Sequence, residues 1–408
     1  MHIAYIHQHF STQKGFTGTR SYEMARYLIG RGHRVTMICG AGDVSDMGHV
    51  AGEDVSTLDV DGITVKRLNE PYSNRMGIVA RLRAFGRFAR RATRVVSGLD
   101  ADLVFATSTP LTVGIPGMKG ARRLGVPFVF EVRDLWPDVV IALDVITNPL
   151  AIWYARRLER RIYFAARRII ALSPGMKDGI VRTGYPADRV TIVPNGCDLD
   201  LFRPSAAPLD DARFGPPDDF RLIFTGAHGL ANGLDAVLDA VAVLKRRGVD
   251  GIRFVFLGTG SQKPRLMQRS REQGLDELVS WVDPIPKLEL AQVLPRMDVG
   301  MMILKNVPDF YYGTSPNKFF DYIASGLPVL NNYPGWLAGM IEEYGCGRVV
   351  PPDDAGAFAD AVLWMHENRD RLAEMGRNAR RLAEERFDRR RLAADFADVL
   401  EKAHAEGR

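Results

Sequence analysis

Residues Phe310 to Pro328 read FYYGTSPNKFFDYIASGLP, a polar loop that runs into a short helix with both ends marked. Ser315 is the expected N-cap and Pro316 suits the first helical position, while Gly326 can take the left-handed turn and Pro328 forbids continuation. The bracketed helix is about two to three turns long. Spacings of three and four gather Phe319, Phe320, Ile323 and Ala324 on an apolar side and Asn317, Lys318, Asp321 and Ser325 on another. Free amides behind Gly313 favour an anionic group, and Lys318 and Asp321 set an ammonium and a carboxylate beside it. A diphosphate and a sugar diol fit that pairing if the polar side looks into a cleft. The alternative is a solvated amphipathic helix in which Lys318 and Asp321 pair with each other.

Working outward, the chain alternates short apolar strands with helices in two rounds. Ile3 to His7 is a first strand, broken by the loop Gly15-Phe16-Thr17-Gly18-Thr19-Arg20 before a helix from about Ser21 to Arg31 and a strand from Val35 to Cys39. In such a strand, loop, helix, strand unit, ligands sit at the carboxyl ends of the strands. The loop is too long for a dinucleotide fingerprint. Val60 to Leu68 is the next strand. Leu103 to Ala106 runs into Thr107-Ser108-Thr109-Pro110, and Val126 to Val132 delivers Arg133-Asp134-Leu135-Trp136-Pro137-Asp138. Charges leaving an apolar strand are costly unless they face a cleft, so Arg133 and Asp134 are candidates, with a structural ion pair of Arg133 to Asp134 or Glu131 as the alternative. Ile169 to Leu172 and Val190 to Val193 are the last strands of this half.

A segment rich in Pro, Ala and Asp, residues 204–219, reads as a linker, so the expected domains are residues 1–203 and 220–385, with a helix near 386–408 crossing back onto the first. The second round begins with a strand over Arg221 to Gly226, the loop Gly226-Ala227-His228-Gly229 and a helix over Gly233 to Arg247. His228 either packs or contacts a phosphate or sugar. Arg253 to Gly258 is followed by Gly258-Thr259-Gly260-Ser261, and Val299 to Leu304 feeds the opening stretch.

At 408 residues, two cores are expected, and hydrophobic content of 46% with 25% charged residues is that of a globular protein. Cys39, Cys197 and Cys346 are far apart and odd in number, which fits reduced thiols inside a cell. No apolar run reaches the roughly 18 residues of a membrane span, and Met1 leads directly into a strand. The net charge of +5 is concentrated. Seven arginines and no acid lie between Arg75 and Arg94, interleaved with apolar residues, and a second basic helix runs from Trp153 to Arg168. These are solvated faces or contacts with an anionic membrane surface. No nucleic-acid module is present. Asp59-Val60-Asp61 and Asp198-Leu199-Asp200 invite a metal reading, but the first belongs to a tight turn and the second to a loop, and no metal is expected.

The run Ser315-Pro316-Asn317-Lys318-Phe319-Phe320-Asp321-Tyr322, with Ala324-Ser325-Gly326-Leu327-Pro328-Val329 and Arg133-Asp134-Leu135-Trp136-Pro137, resembles the retaining glycosyltransferases of family 4, in the branch that builds bacterial O-antigen and capsule polysaccharides and includes N-acetyl-fucosamine transferases. The resemblance implies the GT-B fold, two Rossmann-like α/β domains with parallel sheets facing across a cleft. It implies no cofactor, a nucleotide-sugar donor, by family habit UDP-linked, and a saccharide acceptor that is often polyprenyl-diphosphate-linked at the inner face of the cytoplasmic membrane. Asp321 takes the place of the family's ribose-binding Glu, and Gly313 that of its other Glu. Gly18 matches one glycine of the loop that approaches the donor phosphate, next to Thr19, while Thr17 replaces the other. His228 and Asn232 stand in the region of an Arg and a Lys that bind the diphosphate elsewhere in the family. Ile285, in Trp281-Val282-Asp283-Pro284-Ile285-Pro286, corresponds to the nucleobase slot.

The expected donor residues are thus Gly18, Thr19, His228, Gly258, Ile285, Thr314, Ser315, Pro316, Asn317 and Asp321. Arg133, Asp134 and Lys318 are the expected catalytic groups, and Thr109 and Trp136 lie on the acceptor side. Retaining transfer needs fixed donors for a departing diphosphate more than a strong nucleophile. A nucleotide-sugar epimerase of the same fold and a scaffold without turnover, the latter motivated by Gly313 and the missing Arg and Lys, remain the competing readings.

Overall fold

The computed structural model describes residues 1–15, 18–42, 53–73, 76–205, 207 and 209–407. Thr17 and Arg75 lie outside them. The chain divides into two units, the first comprising residues 1–194, 313–315 and 390–408 and the second residues 195–312 and 316–389.

In the first unit, β1 (His2–Ile6), β2 (Arg34–Gly42), β3 (Val55–Val60), β4 (Ile63–Tyr72), β5 (Leu103–Thr107), β6 (Phe128–Val132), β7 (Arg168–Ala171) and β8 (Val190–Ile192) form a sheet in the order β3-β4-β2-β1-β5-β6-β7-β8. All pairs are parallel except β3 with β4. The central strands β1, β5 and β6 are buried along their whole length, as expected of a parallel sheet covered on both faces. The expected strand at Val60 to Leu68 is instead a hairpin. Asp61 at φ 51° and Gly62 at φ 85° form its turn, and the Gly62 amide donates to Asp59 Oδ1 at 3.2 Å, so this Asp-x-Asp does a turn's work. The helices are α1 (Arg20–Gly30), α2 (Ile78–Val96), α3 (Gly114–Leu124), α4 (Asp138–Ala142), α5 (Pro149–Ala165) and α6 (Pro174–Arg182). α2 packs on α3 and α3 on α5.

The second unit holds α7 (Asp235–Arg246), α8 (Lys263–Glu272), α9 (Lys287–Val293), α10 (Pro308–Tyr311), α11 (Asn317–Ala324), α12 (Trp336–Tyr344), α13 (Ala355–Glu367) and α14 (Arg369–Arg386). Its strands β9 (Phe220–Thr225), β10 (Ile252–Leu257), β11 (Val279–Val282), β12 (Val299–Met302), β13 (Val329–Asn331) and β14 (Gly347–Val349) run parallel in the order β11-β10-β9-β12-β13-β14. Phe220, Leu222 and Phe224 of β9 join α7, α8 and α13 in one core. The final helix, α15 (Arg389–Ala405), lies almost wholly in the first unit, where Phe396 meets the rings of Tyr5 and Phe105.

Two boundary expectations are corrected. The opening segment of the first unit ends at Pro194 rather than at Arg203, and within the expected linker residues 209–219 are packed onto the second unit's chain. Phe214 is fully buried, and the buried Arg221 guanidinium donates to the carbonyls of Leu209 at 2.9 Å, Gly215 at 3.1 Å and Pro216 at 2.6 Å. A guanidinium at the start of β9 needs acceptors, and the incoming backbone supplies them.

Candidate functional site

In the second unit the site forms around α11. Pro316, not Ser315, is its N-cap, at φ −76° and ψ 129° with no side-chain cap bond, so the helix starts one residue later than the sequence suggests. Its C-terminal end follows expectation. Gly326 has φ 71°, its amide donates to Ile323 O at 3.1 Å, and the Leu327 amide donates to Tyr322 O at 3.0 Å. The helix is held against the sheet by Tyr322, whose hydroxyl accepts from the Thr225 amide at 2.9 Å and whose ring fills the space a side chain at Gly300 would need.

That anchoring carries Lys318, one turn earlier, to the carboxyl end of β9. Its Nζ lies 3.6 Å from the centre of the Phe224 ring and 3.4 Å from Asn232 Oδ1, an amide oriented by its own Nδ2 donating to Ala227 O at 2.7 Å. The pair with Asp321 that the alternative reading required does not form, and among the described residues no carboxylate is within ion-pair distance of Lys318. Burial lowers its pKa to about 7. The loops beneath it are tight. Gly258, at φ 145°, abuts the Gly226 carbonyl oxygen, which a Cβ would strike.

Asp321 is 8% exposed and faces the equally buried Lys287, whose Nζ is 3.8 Å from Oδ1. Burial raises the Asp321 pKa, opposed by Lys287 and Arg389. Lys287 opens α9 two residues after the nucleobase candidate Ile285. The polar side of α11 is therefore drawn inward, not solvated: Asn317 and Lys318 are half-buried, and Asp321 and Ser325 are buried.

His228 is fully buried among Phe224, Phe256 and Trp281, at ring separations of 6.0, 6.3 and 5.9 Å, and neither ring nitrogen has a hydrogen-bond partner. Burial, aided by Lys263 and Lys318, lowers its pKa to about 4 and keeps it neutral. His228 thus sits within the loop as a neutral, buried ring with two unpartnered nitrogens, and the cation beside the loop is Lys318.

The first unit gathers a second cluster at the carboxyl ends of β1, β5 and β6. Glu131 is consumed structurally: Arg20 donates to it at 2.7 and 3.0 Å and Thr107 at 2.7 Å, while the same guanidinium donates to Val193 O at 2.9 Å and Pro194 O at 2.6 Å. Arg133 is thereby left out of the Glu131 pair. Its amide donates to Ser108 Oγ at 2.9 Å and its Nη1 lies 3.4 Å from His7 Nε2. Asp134 bonds to Thr109, and burial pushes its pKa up to about 6 against the pull of Arg133. Trp136 is half-buried, with its amide 2.9 Å from Asp134 O. Thr19 is buried at the head of α1, beside the half-buried Gly18. Thr314, half-buried, and Ser315, buried, group with this unit as well. Burial together with Arg133 lowers the pKa of His7 far and that of His9 to about 4.

Sequence reading passed over Lys287 and His7. The signal for Lys287 was available, a lysine immediately after the Pro284-Ile285-Pro286 run; His7 carried none beyond its place at a strand end.

Comparison with known proteins gives a consistent picture. Residues 17–196 match the glycosyl transferase 4-like domain and residues 219–368 the glycosyl transferases group 1 domain. A D-inositol 3-phosphate glycosyltransferase of Paenarthrobacter aurescens is 27% identical over 279 residues, covering 65% of each chain. The chain thus spans slightly under two thirds of that relative's length. A GDP-mannose-dependent alpha-mannosyltransferase of Mycobacterium tuberculosis is 25% identical over 380 residues, 92% of this chain and 91% of the other. Among solved structures, sucrose-phosphate synthase from Thermosynechococcus elongatus superposes with a TM-score of 0.78 at 19% identity over 99% of both chains, and HepE of Anabaena, solved with UDP-glucose, with a TM-score of 0.69 at 18% identity over 98% of this chain and 100% of the other. The architecture is the GT-B fold.

Proposed function

We propose that this chain, which joins a glycosyl transferase 4-like domain to a glycosyl transferases group 1 domain on the GT-B fold, is a retaining glycosyltransferase that moves a sugar from a nucleotide diphosphate to an acceptor hydroxyl. The observation that carries this reading is the ammonium of Lys318, half-buried and without a carboxylate, beside the Asn232 amide at the loop after β9. A cation partly withdrawn from water without a counter-charge is poorly placed until an anion arrives, and a diphosphate is such an anion. Lys318 thereby supplies the positive charge that His228 and Asn232 do not. No metal is needed for that task. Asp321, beside Lys287, takes the ribose.

Chemistry then follows from charge placement. Departure of the diphosphate builds negative charge where Lys318 and the α11 amides point, and the acceptor hydroxyl attacks from the face the diphosphate leaves, passing its proton to the departing diphosphate oxygen. Arg133 and Asp134 hold the sugar or the acceptor hydroxyl, with Thr109 fixing the Asp134 carboxyl.

The donor we propose is UDP-linked, with an N-acetylated or deoxy hexose, and the acceptor a polyprenyl-diphosphate-linked saccharide in bacterial surface polysaccharide synthesis, worked on at the inner face of the cytoplasmic membrane. The resemblance of the Ser315 to Val329 run to the polysaccharide branch supports it. GDP-mannose is the second reading, favoured by the mannosyltransferase that aligns over 92% of this chain.

The test is nucleotide release from a panel of UDP-, GDP- and TDP-sugars, with membrane-lipid extract as acceptor source and EDTA in one arm. We expect release of one nucleotide, dependent on extract, insensitive to EDTA and lost in Lys318→Ala and Asp321→Ala. Donor binding without release in any combination would move the weight to a scaffold or an epimerase.

A further inference from the structure

The first unit carries an outward helix face that the donor and acceptor chemistry does not use. On α5, Leu150 (78% exposed), Trp153 (60%), Tyr154 (65%) and Phe164 (53%) are four of the ten large hydrophobic side chains exposed among the described residues. They share one stripe, at three- and four-residue spacings, with the exposed arginines Arg157, Arg160 and Arg161. Along this helix the stripe from Leu150 to Phe164 runs about 21 Å. Arg157 lies 5.6 Å from the Trp153 ring centre and Arg160 5.8 Å from that of Phe164, and none of the three arginines has a carboxylate within ion-pair distance among the described residues. The one acid of the helix, Glu159, is turned inward and buried beside Tyr163.

The other basic helix is different. On α2, Arg87 pairs with Glu70 at 2.9 Å, and Arg91 with Glu70 at 2.8 Å and Asp54 at 3.2 Å. Part of its charge is already answered within the fold. α2 exposes Val79 and Leu82, and through α3 it belongs to the same helical layer as α5.

We propose that α5 is a membrane-docking helix, lying on an anionic lipid surface with Trp153, Tyr154, Leu150 and Phe164 at headgroup depth and Arg157, Arg160 and Arg161 on lipid phosphates. Aromatic residues flanked by arginines on an exposed helix face are the composition that partitions to such an interface. A second copy of the chain fits poorly, because a stripe with three arginines and no acid meets its own charge across a two-fold axis. Among the described residues no helix is long and apolar enough to cross a membrane, so contact would be peripheral. The inference rests on the reading above of a membrane-held acceptor, and it assigns the contact to α5 rather than α2.

The test is co-sedimentation of the full chain with vesicles of phosphatidylcholine alone or with phosphatidylglycerol added, which contain neither donor nor acceptor. We expect binding to the anionic vesicles only. Arg157→Glu, Arg160→Glu and Arg161→Glu together should lower the partition coefficient on the order of a hundredfold, from the per-charge attraction of such surfaces. Trp153→Ser with Tyr154→Ser should lower it at least about tenfold by removing two interfacial anchors. The α2 pair Arg83→Glu and Arg90→Glu should retain most of the binding. UDP-glucose binding by thermal shift, unchanged in every variant, keeps docking separate from the donor reading. Vesicle binding that survives both α5 variants overturns the proposal, as does a wild type that ignores anionic vesicles and forms an α5-dependent dimer in sedimentation velocity.

Discussion

At the scale of residues, Lys318 sets two opposed pH dependences. Its pKa falls from 10.5 to about 7 on folding, so between those values the unfolded chain binds a proton that the folded chain has released. Stability of the free protein therefore rises with pH across that window, and the cost of burying the ammonium is felt below it. Donor binding runs the other way, because a diphosphate needs the ammonium. We expect the dissociation constant for UDP-glucose, which has no titration of its own there, to rise about fivefold from pH 7 to pH 8. Lys318→Met should flatten that slope, remove the matching slope in thermal melts, and weaken binding by about 2 to 3 kcal/mol, the worth of a hydrogen bond to a charged group. Titration calorimetry at several pH values decides it, and a slope that persists in Lys318→Met would assign the titration to another group. Lys318 was legible in sequence because its neighbours Pro316 and Gly326 fix the helix and hence its face. For Lys287 the sequence marks its place after Pro284-Ile285-Pro286 but not its partner, because Asp321 lies far along the chain and meets it only in the fold.

At the scale of elements, strong local signals survived and weak ones did not. The apolar runs of β1, β5, β6, β9 and β10 declared themselves as strands, within one or two residues of their ends. β3 escaped because Val55–Val60 is an edge strand whose one buried residue is Ser56 and whose Val55, Leu58 and Val60 follow no strict alternation. Residues 204–219 looked like a linker because composition says nothing of the Arg221 guanidinium that gathers their carbonyls. For α11 the C-terminal turn is the firm end. Gly326 at φ 71° has no strain-free replacement, so Gly326→Ala should cost about 1 to 2 kcal/mol, the penalty for a left-handed residue with a side chain. Denaturant melts followed by the fluorescence of Trp281 and Trp336 measure it. A neutral effect would mean that the helix can end differently from the way the turn implies.

At the scale of the whole molecule, the chain is not a simple sequence of two units, because its last helix returns to the first. α15 buries Leu392, Phe396, Val399 and Leu400 in that unit, and each such side chain is worth about 2 kcal/mol when fully buried. Their sum, about 8 kcal/mol, is comparable with the 5 to 15 kcal/mol that holds a whole domain folded. The ion pairs of Arg31 with Asp398 at 2.7 Å and Glu401 at 3.0 Å are surface features and add little to this. A chain ending at Arg389 should therefore lose the cooperative unfolding of its first unit while the second, whose core contains no α15 residue, still melts as a unit. Calorimetry reads both transitions in one scan. Phe396→Ala in the full chain is the milder version, expected to lower only the first unit's stability by about 3 to 5 kcal/mol through the cavity left between Tyr5 and Phe105. If the shortened chain kept both transitions, α15 would be a passenger on the first unit and not part of its core.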